Sequence, residues 1–437
     1  MTSPVPDPKA SPRQRTLALV VRLFVFGLVA GCGASKVEMS NVGEPVGYAA
    51  FEHHGVFPVV DTEEMAGVSV SLGQDRASHD IAQHYLRSGR IPPAAAIRVE
   101  DFVAALGGPS GGGGRGVLSS TLGPSPYRPG WHLLVISIAP DATRLEKRAD
   151  WTTTVWSIDL DGPVERALLA KGAVVRRGSM AVAGAAGDAT GHTIIVMSGA
   201  GLGGIESQGA MLRDAGRRLE AGALVSVVAR IEAGLDDAFL DALAASGGGL
   251  HEVWVPGREE AIVRRLMGQF ALVDARLDVR FAGPRRWRLV GHESRSMIDS
   301  KRRLVGGAIP EGEVGRVVFE LDLGGRAPGE LGVMELRGRP PGAAARLNAE
   351  AAPLARMPLV PGPPDESHRR VTLVAMLAEK LRGTFWMKDV PIDVFVSELQ
   401  GLPREGELDW LVASVVKLWP RREPMRERPT SHKAVLP

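Results

Sequence analysis

The chain holds a single cysteine in 437 residues, three tyrosines, and aromatic side chains at only 5%. One cysteine excludes an intramolecular disulfide and any zinc site built from several thiolates. An excess of one charge is also missing, since 52 basic residues face 50 acidic ones for a formal net charge of +2. That balance lacks the strongly basic signature of nucleic-acid binding, so no nucleic acid is expected as a partner. The apolar run LFVFGLVAG (23–31) is too short to cross a bilayer as a helix. What remains is globular in character, with 44% hydrophobic and 23% charged residues. A chain this long exceeds one ordinary core, and about two to four domains are expected.

The start of the chain reads as a processing segment. Lys9, Arg13, Arg15 and Arg22 precede the apolar run, which suits the h-region of a signal peptide and ends at Cys32. Val29-Ala30-Gly31-Cys32 resembles a bacterial lipobox, in which small residues admit the signal peptidase and the cysteine thiol takes the lipid. An ordinary secretory signal with an incidental cysteine is the other reading. Lipidation at Cys32 implies a chain held at the cell envelope, since each buried methylene of an acyl chain contributes about 0.8 kcal/mol. Gly33 after the cysteine points to the outer membrane, facing the periplasm or the cell surface. Residues 1–31 carry four Lys/Arg and one acid, so the remaining chain is close to −1.

Beyond the signal peptide (1–31), residues 32–62 lack periodicity and read as a tether. GVSVSLG (67–73) is a strand, and DRASHDIAQHYLRSG (75–89) places Ile81, Tyr85 and Leu86 on one helical face. A second short helix follows, and GGPSGGGGRG (107–116) is a loop without the Gly-Lys-Ser/Thr ending of a phosphate loop. From 131 onward strands and helices alternate: WHLLVISIA, TTVWSID (153–159), VERALLAKG, SMAVAGA (179–185), HTIIVMSG (192–199), a helix, LVSVVAR (224–230), a helix from 235, HEVWVP and a helix from 258. Several of these strands are continuous apolar runs, which argues for a parallel sheet covered on both faces. After 272 the alternation stops, and four antiparallel strands of a small β domain (273–345) are expected. A proline-rich joint (346–365), helices near 366–382, 390–400 and 406–418, and a charged tail (420–437) complete the reading.

Three blocks together carry a resemblance to a known family. VSVSLGQDRASHDIAQHYLRSGRIPPAAAIRVEDFVAAL (68–106) is similar to the N-terminal block of bacterial envelope proteins of the YfbK type. WRLVGHESRS (287–296) with IPEGEVGRVVFELDL (309–323) resembles the block after their central domain, and LAASGGGLHEVW (243–254) its last strand region. The resemblance implies a von Willebrand factor A domain at 151–272, with an associated region at 63–150 before it. It therefore implies an α/β fold, a doubly wound Rossmann-like sheet, followed by the β domain and the helical region 366–419. In that family the top edge of the sheet can hold a metal-ion-dependent adhesion site, where hydroxyls and carboxylates bind Mg²⁺ or Mn²⁺. Asp159 matches the first ligand; Asp161 replaces a serine, Pro163 offers no side-chain oxygen, and Ser198 replaces an aspartate. Only 39 positions separate Asp159 from Ser198, too few for the usual threonine loop. The domain is read as shortened and its metal site as a degenerate remnant, with no cofactor.

A second class of chemistry uses the same residues. Haloacid-dehalogenase-type phosphatases place Asp-x-Asp-Gly after a hydrophobic strand, so Asp159 would be the nucleophile and Asp161 the general acid. That reaction also needs a lysine and an acidic pair at a strand end, whereas Asp236-Asp237 opens a helix and no lysine lies between Ser198 and it. His79 and His84, five apart, do not share a helical face and read as surface histidines, like His53-His54. Arg264-Arg265, Arg285-Arg286 and Lys301–Arg303 read as solvated faces, and Trp254, Trp287, Trp386, Trp410 and Trp419 as core or domain contacts. The expectation is a non-enzymatic, lipid-anchored protein that contacts an unknown envelope protein or acts as a scaffold.

Overall fold

The computed structural model describes residues 37–39, 49–108, 117–140, 152–157, 162–177, 191–198, 205–231, 235–293, 295–297, 304–327, 329–342, 353–404 and 406–419. The first part contains β1 (Val37–Met39), β2 (Ala49–Glu52), β3 (Val60–Asp61), β4 (Gly67–Ser71), α1 (Ala77–Arg87), α2 (Val99–Leu106), β5 (Leu118–Pro124) and β6 (His132–Ile138). The central run is β7 (Thr153–Ser157), α3 (Pro163–Ala170), β8 (Val174–Arg177), β9 (His192–Ser198), α4 (Ile205–Glu220), β10 (Leu224–Arg230), β11 (Leu235–Asp236), α5 (Asp237–Gly247), β12 (Gly248–Trp254) and α6 (Glu259–Met267). Then come β13 (Phe270–Phe281), β14 (Arg286–Val290), β15 (Ser296–Met297), β16 (Gly307–Pro310), β17 (Gly315–Asp322), β18 (Gly332–Arg339) and β19 (Pro353–Pro358). Helices α7 (Glu366–Arg382), α8 (Ile392–Gln400) and α9 (Gly406–Leu418) follow.

Continuous apolar strands need cover on both faces, and the central run supplies it. Its sheet has the order β8-β7-β9-β10-β12, with every neighbouring pair parallel. On one face Val164 and Leu168 of α3 and Ile262 and Leu266 of α6 join Ile194, Val228 and Leu250. On the other, Ala215 of α4 and Leu240 and Leu243 of α5 join Ile195, Val227 and Val253. Local signals set the helix ends. Pro163 opens α3 in its first turn. Asp236 caps α5 by accepting from the Phe239 amide at 3.1 Å, and Gly248 ends it with a left-handed φ of 62°. The fold is α/β and doubly wound.

The antiparallel strands expected after 272 are present, and three of them pair with strands before the central run: β13 with β4, β14 with β3 and β17 with β6, while β18 lies between β13 and β19. One sheet runs β15-β4-β13-β18-β19, with β16 also on β13; the other runs β3-β14-β17-β6-β5. Between them lies an aromatic core in which Phe281 meets Trp287 and Phe319 at 5.2 Å each. The three C-terminal helices form as read, and α7 packs against α2 and the outer side of the second sheet through Val371, Val374 and Leu377. Trp287 is in the core, and the Trp386 indole donates to the Phe57 carbonyl at 3.1 Å, a contact between units.

Three readings need correction. Residues 49–62 are packed rather than a tether, because Phe51 and Val56 are fully buried and β2 pairs with both β1 and β11. His79 is buried instead of at the surface, its ring hydrogen-bonded to Asp80 and Gln83. Arg265 is buried against Glu252 and Glu313, while its neighbour Arg264 is exposed as expected. The second strand of the sheet is Val174–Arg177, which has too few apolar residues to stand out; the expected strand at 179–185 lies outside the described residues. Cys32 and the segment before it lie outside them too. Among the described residues no helix is long and apolar enough to cross a membrane.

Two buried histidines set an acid limit on stability. Burial pushes His192 down to about 4, its Nε2 against the Ser226 hydroxyl at 2.8 Å, and does the same to His368. The folded rings stay neutral down to about pH 4, whereas unfolded histidine takes a proton near 6.5. Each contribution is therefore whole above 6.5 and lost as pH falls toward 4. Asp101 and Glu293, both raised to about 7 by burial, act in the opposite sense over the same interval. The histidine share is isolated by comparing variants: between pH 6.5 and 4, His192→Gln should lose roughly 3 kcal/mol less than the parent. Equal slopes in urea unfolding would remove His192 from the account.

Candidate functional site

In a doubly wound sheet, ligands sit at the carboxyl ends of the strands where successive crossovers leave in opposite directions. Here that point lies between β7 and β9: β7 continues into α3 on one face, and β9 into α4 on the other. Ser157 ends β7, Ser198 ends β9, and Arg230 ends β10 directly across from Ser198. Asp159 and Asp161 follow Ser157 but lie outside the described residues. Ser198 stands at that edge as the last residue of β9.

What crosses this edge is an ion pair the sequence did not announce. Glu165, in the first turn of α3, is fully buried and accepts from the Ser157 hydroxyl at 2.6 Å. Both its oxygens accept from Arg230 Nη2, at 2.6 and 2.7 Å. Since Arg230 ends β10 and α3 follows β7, the pair spans the end of β9. Gly162 makes room for it: a Cβ there would fall 1.8 Å from Arg230 Nη2 and 2.1 Å from a Glu165 oxygen. The motif Asp-Leu-Asp-Gly-Pro-Val-Glu thus places a glycine and a glutamate that serve this bridge. The acidic pair needed by phosphatase chemistry is committed elsewhere, Asp236 to capping α5 and Asp237 to Arg98.

The second concentration of charge is buried where the three blocks meet. Arg98, at the start of α2, donates to Asp237 of α5 at 2.6 Å and to Asp101 at 3.3 Å. Arg295 bridges Asp75, after β4, and Asp241 of α5. The Asp75 carboxylate also accepts from the His251 amide of β12 at 2.6 Å, and Glu100 from the His292 amide at 3.0 Å. Burial pushes Asp101 up to about 7, while the guanidiniums of Arg295 and Arg98 outweigh burial at Asp241 and hold it far below the carboxylate range. Gly73 allows the close approach, since a Cβ would lie 2.6 Å from Arg295 Nη1. These residues join the first segment, the sheet domain and the loop after β14. Among the described residues no group of three or more His, Cys, Asp or Glu side chains is arranged to hold a metal ion, the four early histidines included.

No family model matches the chain, and no curated protein matches it. Among solved structures, a von Willebrand factor type A protein from Catenulispora acidiphila is similar over 65% of this chain and 87% of its own, at 12% identity and a TM-score of 0.34. The human COPII coat protein Sec24c is similar over 61% of this chain and 37% of its own, at 12% identity and a TM-score of 0.26. The class of the fold rests on the strand order and the crossovers.

Proposed function

We propose that this chain is a lipid-anchored, non-enzymatic protein of the cell envelope, and that its shortened von Willebrand A-type unit contacts a partner protein or acts as a scaffold without a working adhesion metal. The observation that supports it is the Glu165–Arg230 pair across the switch point. A guanidinium already neutralises the one described carboxylate there, and its positive charge opposes entry of a divalent cation.

The test is thermal unfolding of the full chain in increasing Mg²⁺ or Mn²⁺, repeated on Asp159→Ala. Metal at roughly 100 times Kd stabilises a binding protein by about 2.7 kcal/mol. No shift is expected in either chain at millimolar metal. A saturable shift that Asp159→Ala abolishes would restore a working cation site and overturn the reading. The anchor has its own measurement: Cys32→Ser should move the protein out of the membrane fraction.

A further inference from the structure

The outer face of the sandwich sheet carries a row of charges, most of which pair with one another. Ser69 on β4 donates to Asp278 on β13, and Asp278 accepts from Arg337 Nε on β18 at 3.0 Å. Arg337 also pairs with Glu335, which faces Arg356 on β19 at 3.8 Å, and Arg339 reaches Asp274 at 3.5 Å. Arg276 stands in the same row. Its cross-strand neighbours are Ser71 on one side and another arginine, Arg337, on the other. It is only 6% exposed, and its Nε and Nη2 find no acceptor among the described residues.

Three physical points make this more than an untidy contact. A guanidinium cannot shed its proton in a protein, so burial leaves a charge without a partner. Like charges directly opposite in an antiparallel pair repel. The two open donors are also the edge that grips two oxygens at once. The same molecule shows that edge in use: Arg265 offers Nε and Nη2 to the two oxygens of Glu313 at 2.7 and 3.2 Å. Arg286 turns both onto Asp322 at 2.9 and 2.6 Å. Just before Arg276 the register slips at a bulge where Asp274 adopts a φ of 50°, and bulges re-aim the side chains beside them.

We propose that Arg276 is the floor of an anion site, taking a phosphate or carboxylate group through its Nε/Nη2 edge with Ser71 and Arg337 at its sides. The full chain is melted in sodium phosphate and in sodium acetate, each against sodium chloride at matched ionic strength, so that general screening cancels. A saturable rise of several degrees is expected with at least one of the two anions, and which one responds separates phosphate from carboxylate. Arg276→Lys keeps the charge without the fork and should lose that rise. Arg276→Met removes a charge the fold does not pair, so in chloride it should melt no lower than the parent and should not respond to either anion. Equal shifts in the parent and Arg276→Lys, or no shift with either anion, would overturn the site. So would Arg276→Met melting far below the parent or failing to fold, since the guanidinium would then be a structural partner.

Discussion

Replacing Arg288 by methionine is expected to destabilise the protein by about 3–5 kcal/mol, the cost of removing one member of a buried ionic group. Arg288 is fully buried on β14, donating to Glu320 on β17 at 2.9 Å and to Glu379 on α7 at 3.0 Å. Both carboxylates are themselves fully buried, and Thr384 donates a further hydrogen bond to Glu379 at 3.0 Å. Without the guanidinium, two fully buried carboxylates remain, and the nearby cation left to them is Arg128, 3.8 Å from Glu320. They must then take up protons or force the helix away from the sheet. Urea unfolding measures the loss. A combined variant with Glu320→Leu and Glu379→Leu should recover most of it, because an apolar group of similar volume leaves no stranded charge. A loss below about 1 kcal/mol in the single variant would mean that this group does not hold α7 to the sandwich.

Arg98→Met should cost as much and act elsewhere. Its side chain is the cation between Asp101 on its own helix and Asp237 on α5, with Asp241 at 4.0 Å. Removing it leaves Arg295 as the single guanidinium among Asp75, Asp101, Asp237 and Asp241. Beyond a loss on the order of 3–5 kcal/mol, the contact between α2 and α5 should loosen. Amide exchange should therefore quicken in α1, α2 and α5 while the sandwich strands β6 and β17 stay protected. Uniform acceleration through the whole chain would show that the junction is not a local fastening.

Much of the frame could be read from residue order, and the failures have a common cause. Strands such as LVSVVAR and HTIIVMSG are apolar on both faces, and α5 carries its own cap and terminal glycine, so these elements announce themselves. Strand β8 holds two valines and two arginines and announces nothing. Glu165, Arg98, Arg265 and Arg295 were missed because composition assigns charged residues to the surface. Their burial depends on partners far along the chain: Arg98 and Asp237 are 139 residues apart, Arg265 and Glu313 48. Some signal was present. Arg98, Glu100 and Asp101 fall in one of the blocks that carried the resemblance, His292 and Arg295 in a second, and His251 in a third. The blocks are the walls of the ionic junction, which accounts physically for charged residues that a surface would not need.

The sandwich also imposes an order on synthesis. Strand β4 lies beside β13, and the bond between Ser69 and Asp278 joins positions 209 residues apart. At about 5–20 residues per second, roughly ten to forty seconds separate the emergence of the two. Through that interval β4 has no partner on that side, while the entire parallel sheet is still being made. A chain that must keep a strand with one apolar face waiting is exposed to pairing with its neighbours, and slow closure of distant strands lengthens the risk. The length of chain inserted between β4 and β13, most of it the sheet domain, therefore sets how long that edge stays open.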